Sequence, residues 1–279
     1  MATYLRPTSQ SEALAALAQG RLTVLAGGTD YYPSKVGEPL ADDILDISAI
    51  AALRGIREDV AHWRIGATTS WSELIAAALP PLFDGLKLAA CEIGGVQIQN
   101  AGTIAGNLCN ASPAADGVPP LLALDARVEI ADTAGSTSVA LADFILGNRQ
   151  TLLRADQLLT AILIPKPARP ARSHFAKLGA RKFLVVSIVM VAATLEVEAG
   201  RVCAARIAVG AASAVARRLP LLEAALAGKR CDAGLGEHAS VEHLAPLAPI
   251  DDLRASREYR LDAGLSLVRR VLSELGARA

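Results

Sequence analysis

The chain has 279 residues, of which 52% are apolar and 20% charged, so it can bury a substantial core and is not disordered by composition. Lysine plus arginine balances aspartate plus glutamate at 28 each, which gives no overall basic field for nucleic acid or an anionic membrane. The longest apolar run, residues 183–195, is interrupted by Ser187 and Thr194 and is shorter than the roughly 20 residues of a spanning helix. The N-terminal residues do not resemble a signal peptide, so we expect a cytoplasmic protein.

The first predicted unit is a helix followed by a strand and a glycine turn. Ser9 and Glu12 have the spacing of a capping box, and apolar residues follow at helical spacing. A short buried strand over residues 23–26 leads directly into Gly27-Gly28-Thr29-Asp30. Backbone N–H groups of such a turn can converge on a phosphate, but neither a GxGxxG nor a P-loop motif is present, and a plain tight turn remains the alternative.

The stretch from residue 94 to residue 125 is rich in glycine, asparagine, serine and threonine and is flanked by apolar segments. Its glycines permit close approach of the backbone, and its amide and hydroxyl side chains supply hydrogen-bond donors and acceptors. This composition suits a segment that wraps a polar ligand. A mobile surface loop is the alternative, since such residues usually collect there.

The remaining segments predict a mixed α and β chain. Before the polar stretch we expect a strand over 43–47, a hairpin over 53–57 and 61–66, a capped helix after Ser70 and a helix that ends near Ile93. After it we expect a short helix over 119–124, strands over 127–131, 137–140 and 158–164, strands over 174–180, 185–198 and 202–209, and helices over 219–226, 241–247 and 261–275. Prolines between residues 165 and 170 predict a domain boundary.

Cysteine and histidine spacing does not predict a metal site. The chain has four cysteines, at positions 91, 109, 203 and 231, and they form no CxxC pair, which disfavours a zinc ribbon or a self-contained iron–sulfur cluster. We expect most of them to be buried free thiols. We interpret the Arg217-Arg218 and Arg269-Arg270 pairs as solvated helix faces.

Several sequence segments resemble a known family. The words LAGGTD and QIQNAGTIAGNLCNASPAAD resemble the paired flavin loops of the FAD subunits of the molybdenum hydroxylase family, which includes xanthine dehydrogenase and carbon monoxide dehydrogenase. The segments RIGATTSWSEL, HFAKLGARK, RIAVGAAS and ASREYRL extend the resemblance through nearly the whole chain in order. Together they favour a ligand-binding role for the polar stretch over a mobile loop.

The resemblance implies the fold class and the domain organisation. It implies an α+β protein with a two-subdomain FAD-binding region of the vanillyl-alcohol-oxidase/PCMH type, followed by a three-stranded antiparallel sheet packed on helices. The FAD-binding region would cover residues 1–168, with subdomains of about 1–53 and 54–168. The C-terminal domain of molybdenum hydroxylase flavoprotein type would cover residues 169–279.

The resemblance also implies a set of cofactor-binding residues. The first loop over the FAD pyrophosphate would be formed by Val24, Leu25, Ala26, Gly27, Gly28, Thr29, Asp30 and Tyr31. The second loop would be formed by Thr103, Ile104, Ala105, Gly106 and Asn107. The ribityl chain and the flavin would be surrounded by Ile93, Ser112, Asp116, Leu159 and Lys177. A lysine beside the ring would stabilise an anionic reduced flavin, whereas an exposed lysine on a strand is the usual alternative.

Two positions depart from the family pattern. Ala105 stands where many relatives have a second glycine, and residues 181–188 lack the acidic side chains that some relatives place near the flavin. The electron acceptor, which could be NAD, oxygen, a quinone or another molecule, is therefore left open.

The resemblance implies an electron-transfer subunit with FAD as its cofactor. A large partner subunit would hold the molybdenum cofactor and a small one the 2Fe-2S clusters, in a dimer of heterotrimers without nucleic-acid or membrane partners. Electrons would pass from the clusters through FAD to the external acceptor. Two alternatives are a stand-alone FAD-dependent oxidoreductase and a flavin-less assembly subunit.

Overall fold

The structure is a computed structural model that describes residues 2–182 and 184–278. Phe183, which lies in the predicted apolar run, is outside the described residues. The strands are β1 (Tyr4–Leu5), β2 (Thr23–Leu25), β3 (Ile44–Asp46), β4 (Ile56–Glu58), β5 (His62–Gly66), β6 (Arg127–Asp132), β7 (Gly135–Ala140), β8 (Ile145–Gly147), β9 (Gln150–Thr151), β10 (Leu158–Pro165), β11 (Ala171–Leu178), β12 (Val189–Glu198), β13 (Arg201–Gly210) and β14 (Arg217–Arg218). The α-helices are α1 (Gln10–Gln19), α2 (Tyr31–Ser34), α3 (Trp71–Ala76), α4 (Asp84–Glu92), α5 (Val96–Ala101), α6 (Ile104–Asn110), α7 (Val118–Ala123), α8 (Leu141–Phe144), α9 (Pro220–Leu226) and α10 (Arg257–Gly276).

The N-terminal residues form a small parallel sheet covered by α1. Its strand order is β1-β3-β2, so the glycine turn follows directly from an edge strand. Helix α1 begins at the predicted cap, where the Ser9 hydroxyl accepts a hydrogen bond from the Glu12 amide. Its buried residues Leu14 and Leu17 pack with Leu45 in one apolar cluster, which fixes the sheet behind the turn.

A five-stranded antiparallel sheet follows, with the strand order β4-β5-β10-β6-β7. The predicted hairpin of β4 and β5 is present, and the Ser70–Glu73 capping box starts α3 with both of its reciprocal hydrogen bonds. Trp71 and Phe83 are fully buried in the largest apolar cluster, together with Ile65 from β5. This sheet therefore supports the helices that follow β5.

The C-terminal part is an antiparallel sheet with the order β11-β12-β13-β14, packed against α9 and α10. The three expected strands are present, and the two-residue strand β14 extends the sheet. The interpretation of Arg217-Arg218 as a solvated helix face was wrong, because these residues form that strand. Arg218 pairs there with Glu223 and Asp125. Helix α10 starts at Arg257, four residues before the predicted start, because Ser256 caps it.

Three further segments differ from the predicted elements. The polar stretch over residues 94–125 contains α5 and α6, which were not predicted, besides the predicted short helix, which is α7. Strand β12 begins at Val189 rather than at residue 185, and the preceding Ser187 instead donates a hydrogen bond to Asp116. Over 241–247 only Val241–Leu244 is helical, as a 3-10 turn.

The C-terminal sheet and the preceding region are joined by buried contacts. All six residues of α7 are buried, and this helix packs on β12 and β13. The Ser173 hydroxyl at the start of β11 donates to the Leu82 carbonyl oxygen and accepts from the Gly85 amide. Ala208 of β13 belongs to the same apolar cluster as Trp71. The polar stretch therefore ends in a helix that both regions enclose.

The cysteines differ from their expected environment. Cys91, Cys109 and Cys203 are exposed and only Cys231 is buried, so the expectation of mostly buried thiols was wrong. Within the described part of the chain, no helix combines the length and the apolar character needed to cross a lipid bilayer.

Candidate functional site

The two glycine-containing segments predicted to bind a ligand lie against each other. A Cβ atom built on Gly27 would stand 1.9 Å from the Ala101 carbonyl oxygen, at the end of α5. A Cβ atom on Gly102 would stand 3.3 Å from the Thr29 hydroxyl oxygen. Glycine is required at position 27 because no side chain would fit between the two backbones. The fold thus joins segments that are more than 70 residues apart in the sequence.

A cavity of about 530 Å³ opens beside this contact. Most of the predicted cofactor-binding residues line it, namely Val24, Leu25, Ala26, Gly27, Gly28, Thr29, Asp30, Tyr31, Ile93, Thr103, Ala105, Gly106, Asn107 and Leu159. Its volume lies in the range of small-molecule and cofactor pockets, roughly 300–1,000 Å³. The structure therefore brings both predicted loops to one concave surface.

The glycine turn presents backbone donors at the cavity. Within the described residues, the amides of Gly27, Gly28, Thr29 and Asp30 donate no hydrogen bond, and the bond that closes the turn runs from the Tyr32 amide to the Gly28 carbonyl oxygen. Gly28 has φ +67, a left-handed conformation that favours glycine. Consecutive free N–H groups in such a turn can coordinate an anion.

The second segment is held by the Thr103 side chain. Its hydroxyl oxygen accepts a hydrogen bond from the Gly106 amide and caps α6, while the Ile104 amide donates to the Thr69 carbonyl oxygen. The Ala105 amide donates no hydrogen bond among the described residues. The Ala105 methyl group packs in the main apolar cluster, so the helix accommodates alanine at this position.

Four predicted residues do not line the cavity. Ile104 is fully buried in the apolar core, and Ser112 accepts a hydrogen bond from the Ala114 amide through its hydroxyl oxygen. Asp116 and Lys177 form an ion pair of 2.9 Å between Oδ2 and Nζ. Contact between these four residues and a cofactor remains a prediction.

The Asp116–Lys177 pair is buried and joins the polar stretch to β11. The Lys177 ammonium also donates to the carbonyl oxygens of Glu92 and Val185, and the Ser187 hydroxyl donates to Asp116 at 2.6 Å. Only 5% of the Lys177 side chain is exposed, so it is not an ordinary surface lysine on a strand. Burial raises the pKa of Asp116 above its ordinary value, although Lys177 and Ser187 act in the opposite direction.

Sequence reasoning missed part of the cavity wall. The additional lining residues are Ser34, Ile47, Ala67, Trp71, Ile98, Gly102, Cys109, Asn110, Arg149, Leu153 and Leu158. Arg149 donates from Nη1 to Asp30 Oδ2 at 3.1 Å and to Asn110 Oδ1 at 2.8 Å. The sequence around Arg149 carries no motif, and its partners lie 39 and 119 residues away.

The donor set fits a flavin dinucleotide. Free amides of the glycine turn suit a diphosphate, and apolar residues such as Ile93 and Leu159 suit an aromatic ring. Asn107 lines the same cavity, and its buried Oδ1 has no hydrogen-bond partner within the described residues. A hydroxyl group of a ligand would satisfy this acceptor.

Comparison with known families decides the assignment. A model of the FAD binding domain in molybdopterin dehydrogenase matches residues 1–167, and one of the CO dehydrogenase flavoprotein C-terminal domain matches residues 174–275. The chain belongs to this family of molybdenum hydroxylase FAD-binding subunits. Its cofactor is therefore FAD, and it is an oxidoreductase subunit.

Individual relatives match along the full length of this FAD-binding subunit. The xanthine dehydrogenase FAD-binding subunit of Escherichia coli O157:H7 is 31% identical over 284 residues, covering 100% of this chain and 97% of that protein. The carbon monoxide dehydrogenase medium chain of Hydrogenophaga pseudoflava is 29% identical over 283 residues, covering 99% and 97%.

Solved structures of the family superpose closely on the FAD-binding subunit. A chain of the cyanide-inactivated Cu,Mo-CO dehydrogenase matches with a TM-score of 0.91 and 29% identity, covering 100% of this chain and 98% of that one. Quinoline 2-oxidoreductase from Pseudomonas putida 86 matches with a TM-score of 0.90 and 26% identity over the same shares. The expected fold class is confirmed by these neighbours.

Proposed function

We propose that this FAD-binding subunit relays electrons from 2Fe-2S clusters of a small partner subunit to an external acceptor, within an enzyme whose large subunit holds the molybdenum cofactor. The observation that carries the proposal is the cavity formed where the glycine turn meets α5 and α6. When bound, FAD supplies the redox chemistry. The chain itself holds the cofactor, orients it and keeps its diphosphate on backbone donors.

The contribution of the chain to this relay is positioning. Gly27, Gly28 and Ala105 line the cavity, and within the described residues their amides donate no hydrogen bond, so both segments offer donors. The Thr29 and Thr103 hydroxyls lie beside them. Because these groups belong to two packed backbones, they lose little freedom when an anion binds, which favours tight retention of FAD.

The predicted flavin-proximal residues form the second part of the proposal. Lys177 is held by Asp116 and by two backbone carbonyl oxygens, which fixes its ammonium group at the junction of the polar stretch and β11. A fixed cation near the flavin would favour the anionic reduced form. Ser112 and Ile93 complete the proposed surroundings of the ribityl chain and the ring.

The domain organisation and the assembly belong to the same proposal. We place an FAD-binding region at 1–168, with subdomains of about 1–53 and 54–168, and a C-terminal domain at 169–279. One apolar cluster supports the C-terminal domain, since its buried residues all belong to the C-terminal sheet and the segments that follow it. We further propose a dimer of heterotrimers; the relatives named medium chains belong to multi-subunit enzymes, which supports the partner subunits.

Purification tests the relay against its alternatives. We expect the full chain, isolated from its source cells, to show the visible absorbance of flavin and to copurify with chains that carry molybdenum and iron. A flavin-containing chain that purifies alone and reduces an acceptor by itself would identify a stand-alone oxidoreductase. A colourless chain that cannot be reconstituted with FAD would identify an assembly subunit and overturn the proposal.

Two glycine substitutions test the location of FAD. A Cβ at Gly28 would stand 2.7 Å from the Tyr32 ring, in a left-handed backbone conformation, and a Cβ at Gly106 would stand 2.8 Å from the Thr103 hydroxyl oxygen. We expect Gly28→Val and Gly106→Val to abolish FAD retention. Gly20→Val after α1, where no heavy atom lies within 4 Å and the backbone is extended, is the control for general effects. Unchanged flavin content in both cavity variants would remove the loop assignment.

A further inference from the structure

Arg149 occupies a constrained position in the turn between β8 and β9. Its backbone has φ 54, in the left-handed region that residues with a side chain rarely adopt. Its amide donates a hydrogen bond to the Ala111 carbonyl oxygen at 3.0 Å, at the end of α6. The strained conformation therefore directs the side chain of a long basic residue to the rim of the cavity.

The guanidinium group of Arg149 is anchored at one nitrogen only. Nη1 donates to Asp30 at the end of the glycine turn and to Asn110 at the end of α6, so both cavity-forming segments hold the same atom. Within the described residues, Nε and Nη2 donate no hydrogen bond. These two nitrogens form the edge with which arginine binds a phosphate in bidentate fashion.

The charge of the cavity wall depends on this residue. Among the described residues that line the cavity, Arg149 carries the one cationic side chain and Asp30 the one anionic side chain. A diphosphate brings two negative charges close to the Asp30 carboxylate. The free amides of the glycine turn contribute partial charges only, so the guanidinium supplies the full positive charge available at this place.

We propose that Arg149 is a diphosphate-binding residue of the FAD site, with Nη1 held by Asp30 and Asn110 and the Nε and Nη2 edge directed to the phosphate oxygens. The inference rests on the proposed FAD cavity. It makes the site selective for the dinucleotide, because riboflavin lacks the diphosphate that the guanidinium would contact. Arg149 would thus add charge recognition to the backbone recognition of the two loops.

A purely structural role would give a different result. The Arg149–Asp30 pair is exposed, with 61% and 53% of the two side chains accessible, and exposed ion pairs contribute little to stability. If Arg149 only connected the loops, its loss would weaken FAD and riboflavin binding alike. If it binds the diphosphate, only FAD binding weakens, and the salt dependence of that binding decreases.

The test uses the full chain freed of flavin, with dissociation constants measured by quenching of flavin fluorescence. Arg149→Gln removes the charge at similar length, Arg149→Lys keeps the charge without the bidentate edge, and Arg149→Gly removes the side chain at a φ that glycine tolerates. The glycine variant keeps the test valid if the strained turn disfavours glutamine. Arg154→Gln is the matched control, since Arg154 is as exposed and pairs with Asp132 and Asp156 outside the cavity.

We expect Arg149→Gln and Arg149→Gly to raise the FAD dissociation constant by about tenfold to a hundredfold, with a smaller rise for Arg149→Lys. Riboflavin affinity should stay the same, and the control should bind both flavins like the wild type. Unchanged FAD affinity in the glycine variant, or equal losses for FAD and riboflavin, would overturn the inference. Absence of FAD binding by the wild-type chain would instead refute the FAD cavity itself.

Discussion

The Cα atom of Gly27 faces the carbonyl group of Ala101 so closely that a Cβ atom at position 27 would stand 1.9 Å from the oxygen and 2.7 Å from the carbon. Both groups belong to the backbone, so neither can rotate away. The contact sets the distance between the two segments that form the cavity.

Gly27→Ala should therefore separate the two segments. We expect a loss of about 1–3 kcal/mol in the free energy of unfolding, as for overpacked sites, together with loss of bound FAD. Urea denaturation and flavin content measure the two effects. Gly20→Ala is the control, because no heavy atom lies within 4 Å of its Cβ position, and it should change stability by less than about 0.5 kcal/mol. Equal effects of both substitutions would contradict the backbone contact.

Lys177→Met should destabilise the chain in a pH-dependent way. The variant leaves the buried Asp116 carboxylate without its cation, which costs about 3–5 kcal/mol when the carboxylate is ionised. The pKa of Asp116 is already raised by burial, and without Lys177 it rises further. When the pKa of a carboxyl group is higher in the folded chain than in the unfolded chain, the free energy of unfolding decreases as the pH rises from the unfolded pKa to the folded pKa. The loss should therefore be larger at pH 8 than at pH 5.

The double variant Asp116→Asn/Lys177→Met isolates the cause. It removes both charges, so most of the stability lost in Lys177→Met should return. The remaining loss relative to the wild type should be the same at pH 5 and at pH 8. Arg154→Met, which removes the exposed pairs with Asp132 and Asp156, should change stability little at either pH. If Lys177→Met is equally destabilised at both pH values, lost packing rather than an unpaired carboxylate explains its effect.

The stability of the wild-type chain should decrease as the pH falls below about 6.5, the ordinary histidine pKa. The His174 Nε2–H donates to the Glu274 carboxylate, whose pKa is lowered, but the buried Nδ1 has no partner within the described residues. Burial lowers the pKa of His174 despite Glu274, and Arg270 and Arg278 act in the same direction as burial. The unfolded chain then binds a proton that the folded chain does not, so folding is weakened at acid pH.

Equilibrium unfolding between pH 5 and pH 8 measures the slope of the free energy of unfolding against pH. We expect it to be reduced in His174→Gln, which cannot take up the proton in either state. In Glu274→Gln the slope should be steeper, because the negative charge that partly favours protonation is gone. An unchanged slope in His174→Gln would show that other groups cause the acid sensitivity.

Ala105→Gly should leave the affinity for FAD unchanged. The proposed contact with FAD is made by the backbone amide at this position, and glycine has the same amide. The substitution removes a buried methyl group from α6, so we expect a loss of about 1 kcal/mol in the free energy of unfolding. Flavin titration and urea denaturation check the two expectations. Tighter FAD binding in the variant would show that the alanine distorts the loop.

The sequence predicts features that depend on local chemistry. The capping boxes at Ser9 and Ser70, the hairpin of β4 and β5 and the glycine turn at Gly27 each arise from residues close together in the chain. The structure contains all of them. The pairing of the two loops follows from the resemblance of their sequence segments to the family, because residues close together in the chain do not predict it.

Features that depend on tertiary contacts were missed. Arg149 meets its partners only after three segments have packed together, and Ser187 leaves the predicted strand because Asp116 offers a buried acceptor. Helices α5 and α6 of the polar stretch are six and seven residues long, too short for a helical repeat to be distinguished from a loop. Helix α7, by contrast, was predicted over residues 119–124 and is present at Val118–Ala123.

The burial of α7 determines how unfolding of the chain can be followed. This helix ends the polar stretch, and the C-terminal sheet together with α4 and α8 covers it. A cofactor bound to the native cavity and not to the unfolded chain stabilises every element that must open with it. The emission of bound flavin should therefore change in the same cooperative transition as the fluorescence of Trp71. The flavin signal would then measure unfolding of the whole chain and not only of its N-terminal region.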